Sequence, residues 1–415
     1  MLSAITSRKL VFFIIYYNLF CGFAIKNLDM DKSILFLIDI LFLVIFLHGH
    51  FKIKRTGLRL SVIVLFLLFV VLLLGAVGNT VPLANFIWGL RNQYFSLAIF
   101  FASASFLSIY DINKIFRFFF YFQFLNIICV LYQYFILGYY SDNNNGAFTS
   151  GGGQDIFCGV LVTYYLYNFI QHKCKLWHFA FVLISSLVIA AIEEEKFIFI
   201  EIVFIFAYFY LTSKIFSLKG LLLGAVFITF MLLALNVFLQ INGEGQFDVL
   251  TNKDAFMEYQ EGAYALPRIG SSVIIDKMFF TDDWQSALGL GMGKCEDAST
   301  LSFINTDFYN RYGWLEYTWF TFQINFLQTG WIGIFLFIMF FVSILYINMK
   351  NKKKCPNSLK YYYDISTMIT ILCIMTIWYN ATLRSYNTII PFFVLSLGGV
   401  VTRHIAMLNQ TESKI

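Results

Sequence analysis

Residues 58–77 read LRLSVIVLFLLFVVLLLGAV, with a lone charge, Arg59, in the first turn. Spanning ~30 Å of hydrocarbon takes roughly 20 apolar residues in a helix, so this stretch is predicted to cross a bilayer. Comparable runs recur outward in both directions, at about 10–25, 33–48, 86–107, 115–138, 154–171, 176–192, 197–213, 220–240, 319–348, 363–383 and 388–406. Unpaired backbone groups are costly in lipid and a helix pairs them internally, so every span is expected to be helical. The expected fold is an all-α, polytopic membrane protein with about 12 transmembrane helices and one long extracytoplasmic loop. Helices 1–9 fall within residues 1–240, the loop within 241–318, and helices 10–12 with a cytoplasmic C-terminus within 319–415.

Composition points the same way. Apolar residues make up 59% of 415 positions and charged residues 13%, with a mean hydropathy of +0.73. A water-soluble chain of this length could not hide so much apolar surface, so the bilayer acts as its solvent. The first span lacks a small-residue cleavage site after it and reads as an anchor, not a removed signal. Lys and Arg then orient the spans. With the N-terminus inside, Arg8, Lys52, Lys114, Lys173, Lys214, the run Lys352–Lys354 and Arg403 all fall on the cytoplasmic side, and every inside loop is basic. The reverse topology fails everywhere. Both termini are therefore expected to be cytoplasmic, and the net charge of +5 is a topology signal with no nucleic-acid partner implied.

The seven cysteines include only one, Cys295, in the long loop, so no disulfide can staple that loop to itself. None forms a C-x-x-C pair, which leaves a metal or redox site without support. Two outside segments stand out. The polar stretch Ser141–Gln154 (SDNNNGAFTSGGGQ) is rich in turn-forming Asn and Gly. Residues 241–318 form a loop of 78 residues, long enough to be functional. That loop carries 12 acidic residues against 5 basic ones, so its arginines sit in an acidic field. Within it, Gly270–Phe280 (GSSVIIDKMFF) is expected to form a short helix along the membrane surface.

Several residues could carry chemistry. Arg91 lies about five residues inside the outer end of the fourth span, roughly 7.5 Å along a helix axis. An arginine at that depth faces a cavity or an anionic partner, or snorkels to the interface. Arg268 follows Pro267 and opens the amphipathic stretch; some twenty residues later comes Leu288–Gly293 (LGLGMG), then Arg311, Glu316 and, inside the tenth span, Gln328–Gly333 (QTGWIG). The glycine run follows no strand of a βαβ unit, so it is a tight turn and not a nucleotide loop. The tip Glu193–Glu194–Glu195–Lys196 is either solvated or faces a water-filled cavity. Asp39 and Glu201 are the main charges near mid-membrane, and neither has an obvious partner in the sequence. Trp314, Tyr317 and Trp319 could stack on sugar faces or form an interfacial aromatic belt.

The order of these pieces resembles the O-antigen polymerase and O-antigen ligase family of bacterial envelope proteins. Arg268, Gly289–Gly293 and Thr329–Gly333 are similar to that family's loop arginine, glycine turn and T-G-x-x-G element. Residues 146–155 (GAFTSGGGQD) are similar to its turn before the sixth helix, and Lys196 stands where the family often has a basic residue. The ligases carry a histidine just before the T-G-x-x-G helix; here that position falls near Trp319, and all five histidines lie on the predicted cytoplasmic side. This departure favours the polymerase over the ligase.

The resemblance implies a reaction in the bacterial cytoplasmic (inner) membrane. Oligosaccharide repeat units carried on polyprenyl pyrophosphate are joined at the outer face, releasing polyprenyl pyrophosphate, with no cofactor, nucleotide sugar or ATP. It also implies membrane lipid, a chain-length regulator and a flippase as partners. Such chemistry needs cations for the pyrophosphate and a base for the acceptor hydroxyl. Arg268 is the expected pyrophosphate ligand, with Arg91, Lys196, Arg311 and Arg384 as further substrate-binding candidates, Trp319 as a stacking surface, and Glu195 and Glu316 as candidate bases. Arg311 and Arg384 also fit simple interfacial anchors, and Lys196 a solvated partner of its glutamates. A ligase with a different acceptor, and a lipid-linked oligosaccharide flippase or transporter, are the competing readings.

Overall fold

The computed structural model describes residues 4–49, 51–139, 143–213, 229, 232–233, 235–236, 238–240, 266–268, 270–297 and 304–412. The predicted span at 220–240, for the most part, and loop residues 241–265 lie outside the described residues. Among the described residues the chain is helical and contains no strand. In order run α1 (Ala4–Asn27), α2 (Phe36–His48), α3 (Arg59–Gly78), α4 (Leu83–Tyr94), α5 (Leu97–Phe106), α6 (Ile109–Phe135), α7 (Gly151–Ile170), α8 (Leu176–Ile192) and α9 (Lys196–Ser213). The loop region carries α10 (Ser271–Phe279), α11 (Asp283–Leu288) and α12 (Asp307–Tyr312). After it come α13 (Thr321–Lys352), α14 (Lys360–Tyr379), α15 (Ile389–Leu395) and α16 (Leu397–Glu412).

Among the described residues, five helical stretches are long and apolar enough to cross a membrane: Ile5–Asn27, Arg59–Gly78, Ile109–Phe135, Thr321–Lys352 and Tyr386–Gln410. The helix at 59–78 shows why. Ser61, Val64, Leu68, Leu72 and Gly75 recur at helical spacing on its buried side, while Ile63, Phe66, Leu73 and Val77 are exposed on the other. Both faces are apolar, so the outward face needs lipid in place of water. Polar groups appear inside instead, where they find partners: the Ser61 and Ser343 hydroxyls meet at 2.8 Å between α3 and α13.

Three predicted spans differ in detail. The stretch 86–107 is two helices, α4 and α5, meeting at Phe95 and Ser96, both still right-handed helical. The Ser96 hydroxyl at this joint bonds that of Thr388. Residues 388–406 divide likewise into α15 and α16 at Ser396. The tenth span is longer than predicted, and Gly330 interrupts it with non-helical dihedrals. At the start of α6, Ser108 and Asp111 form a reciprocal capping box, and Asp111 also pairs with Arg8.

Many of the bonds between elements lie near the two ends of the bundle, and others, such as Gln123 to Ser185 at 3.0 Å, lie within it. At the end holding Arg8 and Asp111, Lys352 pairs with Asp364, Asn351 bonds Thr402 at 3.2 Å, and Arg403 bonds the Leu107 carbonyl. At the other end Lys26 reaches the Asn143 carbonyl at 2.9 Å, Asn79 that of Gly289 at 3.1 Å, and Asn85 that of Ile304 at 2.8 Å. The second end gathers the loop region and every candidate site residue.

Candidate functional site

The glycine turn and the T-G-x-x-G element, chosen from sequence order alone, prove to be one structure. Gly330 has φ +59° and breaks the α13 ladder there. A helix broken this way frees carbonyls that would have accepted bonds one turn on. The loop takes them: the Leu290 amide donates to the Leu327 carbonyl at 2.8 Å, and the Gly291 amide to that of Gln328 at 3.1 Å. The two backbones approach so closely that a Cβ on Gly330 would sit 2.5 Å from the Ala287 carbonyl carbon, and one on Gly289 would collide with the Thr329 amide. The loop is thus wedged into the helix kink by main-chain bonds.

An ion network ties that wedge to the helices. Glu296 is buried, and its two carboxylate oxygens both accept from one Arg384 nitrogen, Nη2, at 2.8 and 2.7 Å. Asn92 adds a bond at 2.8 Å and Gln328 one at 2.9 Å. Arg384 also donates to the Thr318 carbonyl at 3.1 Å. Through Asn92 the network continues, since its side-chain oxygen accepts from Arg91 at 2.7 Å. Arg91 in turn pairs with Asp39 at 3.0 Å, bonds the Tyr386 hydroxyl, and lies over the rings of Trp88 and Tyr386. Asp39, expected to lack a partner, has two: Arg91 and the Tyr386 hydroxyl at 2.8 Å. Arg91 and Arg384, proposed from sequence as free cations for an anionic substrate, are each held by a carboxylate of this chain.

Arg268 is placed differently. Its backbone is held by Gln323, which donates to the carbonyls of Leu266 at 3.3 Å and Pro267 at 3.1 Å. Its guanidinium lies 4.7 Å from the ring centre of Tyr379 and 5.4 Å from that of Phe320, and its Nε is buried without a hydrogen-bond partner among the described residues. Tyr379 stands within electrostatic reach of both Glu195 and Asp155. Those two carboxyls stand close enough for the charge of one to oppose that of the other. The Glu195 carboxylate abuts Gly151, at the start of α7, where a Cβ would collide with it. Asn380 donates to Asp155 at 3.3 Å, and Thr382 to the Gly152 carbonyl at 2.8 Å. Gly151, Glu195, Arg268, Tyr379 and Asn380 are half-buried, so a cation and two carboxyls gather around the Tyr379 ring at a partly open site.

The tip of the α8–α9 turn is only partly as expected. Glu193 is neither solvated nor open to water; it is buried and accepts from Gln154 at 3.1 Å. Burial, with the Glu195 charge adding to it, pushes the Glu193 carboxyl well above the ordinary carboxylate range. Lys196 lies 3.8 Å from Glu194. Arg311 is exposed beside the Tyr312 ring, and Trp319 is exposed. Glu316 is half-buried with φ +56°, joining two short 3-10 turns. The structure therefore brings Arg268 and Glu195 together, links Arg91 with Arg384 in a separate network, and leaves Arg311, Glu316 and Trp319 outside both.

Sequence reasoning missed Asp155, Glu296, Tyr379 and Asn380. Asp155 carried a usable signal, an acid five residues into an apolar helix behind three glycines. Glu296 carried none, being one of twelve acids in its loop. Among the described residues no group of three His, Cys, Asp or Glu side chains is arranged to hold a metal ion. Fold and site define a helical membrane protein with a partly open polar site at one end of the bundle. No protein-family model matches the chain, and no curated protein matches it either.

Proposed function

We propose that this chain is a polysaccharide polymerase of the O-antigen polymerase type. It joins polyprenyl-pyrophosphate-linked oligosaccharide repeat units at the outer face of the bacterial cytoplasmic membrane, through about twelve spans with both termini cytoplasmic. The observation that carries this reading is the grouping at Tyr379: Arg268, whose Nε has no hydrogen-bond partner among the described residues, lies over a ring that is also within electrostatic reach of Glu195 and Asp155. A guanidinium offers planar, permanently charged donors for pyrophosphate oxygens. A carboxylate beside the acceptor can take the hydroxyl proton. Preorganised charge of this kind lowers a barrier most where charge develops during reaction.

Arg91 and Arg384 then act at one remove. They hold the glycine wedge and α4 in place, and Arg268 and Glu195 do the chemistry. Glu316, Arg311 and Trp319 line the approach without reaching the carboxyl pair. The test is deletion of the chain followed by analysis of surface glycan, complemented with wild type or Arg268→Ala. Glycan falling to a single repeat unit, restored by wild type and not by an Arg268→Ala protein present at normal level, is the expected result. Long chains accumulating unattached would establish a ligase instead. Failure of lipid-linked units to cross the membrane would establish a flippase, and normal chain lengths with Arg268→Ala would remove the site assignment.

A further inference from the structure

We infer that Glu201, Asp155, Glu193 and Glu195 form a proton-binding site that runs from beside Tyr379 into the middle of the bundle. Glu201 on α9 is fully buried, and neither carboxyl oxygen has a hydrogen-bond partner among the described residues. One oxygen presses on α7, 2.6 Å from where a Cβ on Gly159 would be, and Leu372 of α14 closes the same spot. The thiols of Cys158 and Cys373 face it from α7 and α14. Nearer Tyr379, Asp155 is fully buried and its Oδ1 has no partner, and the same holds for Oε2 of buried Glu193.

Gln154 bears on the same point independently. It is fully buried and donates its amide to Glu193, yet its carbonyl oxygen has no donor. All of these unpartnered atoms on α7, α8 and α9 are acceptors. What is missing around them is a positive hydrogen-bond donor. Arg268 lies over the Tyr379 ring, and Lys26 exerts its charge on Glu193 while bonding the Asn143 carbonyl. Neither reaches Glu201. Buried carboxylates without counter-charge become neutral by binding protons, and like charges so close cannot all ionise. No trio of ligating side chains is arranged for a metal ion among the described residues, so protons supply the charge.

The like charges of Asp155 and Glu195 oppose each other, and one proton held between the two carboxyls relieves this, which leaves the pair a monoanion able to accept one more. On the transfer reaction proposed above, that second proton comes from the acceptor hydroxyl. Its oxygen bonds the anomeric carbon, the carbon–oxygen bond to pyrophosphate breaks with its electron pair, and the hydroxyl proton passes to the pair.

Infrared spectroscopy of the purified full-length protein in lipid nanodiscs at neutral pH tests the site. The wild type should show the carbonyl stretch of protonated carboxylic acids. With three protons held among four carboxyls, Glu201→Gln should remove roughly one third of that band. Sodium in place of choline as the salt cation should leave it unchanged. A wild-type spectrum without the band, or a band displaced by sodium, overturns the proposal. So does a band that both Glu201→Gln and Asp155→Asn leave intact; if the first variant fails to fold, the second decides. The readout does not depend on polymer growth. A band in a protein that fails the deletion test would keep the proton site and remove only its part in transfer.

Discussion

Replacing Glu296 with alanine should loosen the loop from the helices, and the structure sets the scale of the effect. The carboxylate is buried and accepts four bonds, two of them from Arg384, whose side chain is only 11% exposed. Its removal strands a buried guanidinium and leaves the Asn92 and Gln328 amides without their acceptor. Breaking a buried ion pair by deleting one partner costs about 3–5 kcal/mol, most of it from the uncompensated charge. Unfolding entropy scales with length, so for a chain of 415 residues each kcal/mol moves the midpoint by on the order of 1 °C. The expected fall is therefore about 3–5 °C, read by thermal size-exclusion or intrinsic fluorescence in a fixed detergent. Glu296→Gln keeps one carbonyl acceptor but loses the charge and the second acceptor, so it should fall less than the alanine variant and still below wild type. The diagnostic variant is Glu296→Ala with Arg384→Ala, in which no charge is left stranded. If the double variant is more stable than Glu296→Ala alone, the account holds; strictly additive losses, or no loss in Glu296→Ala, would refute the reasoning.

Two further outcomes follow from the loop. Gly330→Ala places a side chain at φ +59° and against the Ala287 backbone; left-handed geometry alone costs about 1–2 kcal/mol, so detergent-extracted protein should lose its monodisperse peak, and normal behaviour on size-exclusion would contradict the wedge. The Cys295 thiol is fully buried, and burial, aided by the Glu296 charge, pushes it well above the ordinary thiol range. A raised value means less thiolate at any given pH below it, so maleimide at neutral pH should spare Cys295 in the native protein and label it after denaturation; rapid native labelling, measured by peptide mass spectrometry, would show the loop is not seated.

The helical spans were legible because hydropathy carries its own length scale. Residues 58–77 were marked as a crossing, and the helix runs from Arg59 to Gly78. The stretch 176–192 has the same bounds in sequence and structure. Helix joints at Ser96 and Ser396 were not legible, since both sit inside apolar runs and arise where neighbouring helices pack. The glycine run and Thr329–Gly333 were marked by order, but their mutual bonds were not. A main-chain bond from residue 290 to residue 327 leaves no trace in either local sequence.

Pairing of charges shows the division most plainly. By itself the sequence determined the class of molecule, because burial in lipid selects residue types locally, and its resemblance to a known family marked Arg268 and Glu195 as residues worth testing. Only the tertiary structure decided that Arg384 belongs to Glu296, 88 positions away, and that Arg91 belongs to Asp39, 52 positions away. It also decided that Arg268 lies over the Tyr379 ring with an Nε that has no hydrogen-bond partner among the described residues. A charge in a low-dielectric interior is satisfied by whichever group the packing of distant helices brings within hydrogen-bond reach, and composition does not encode that distance.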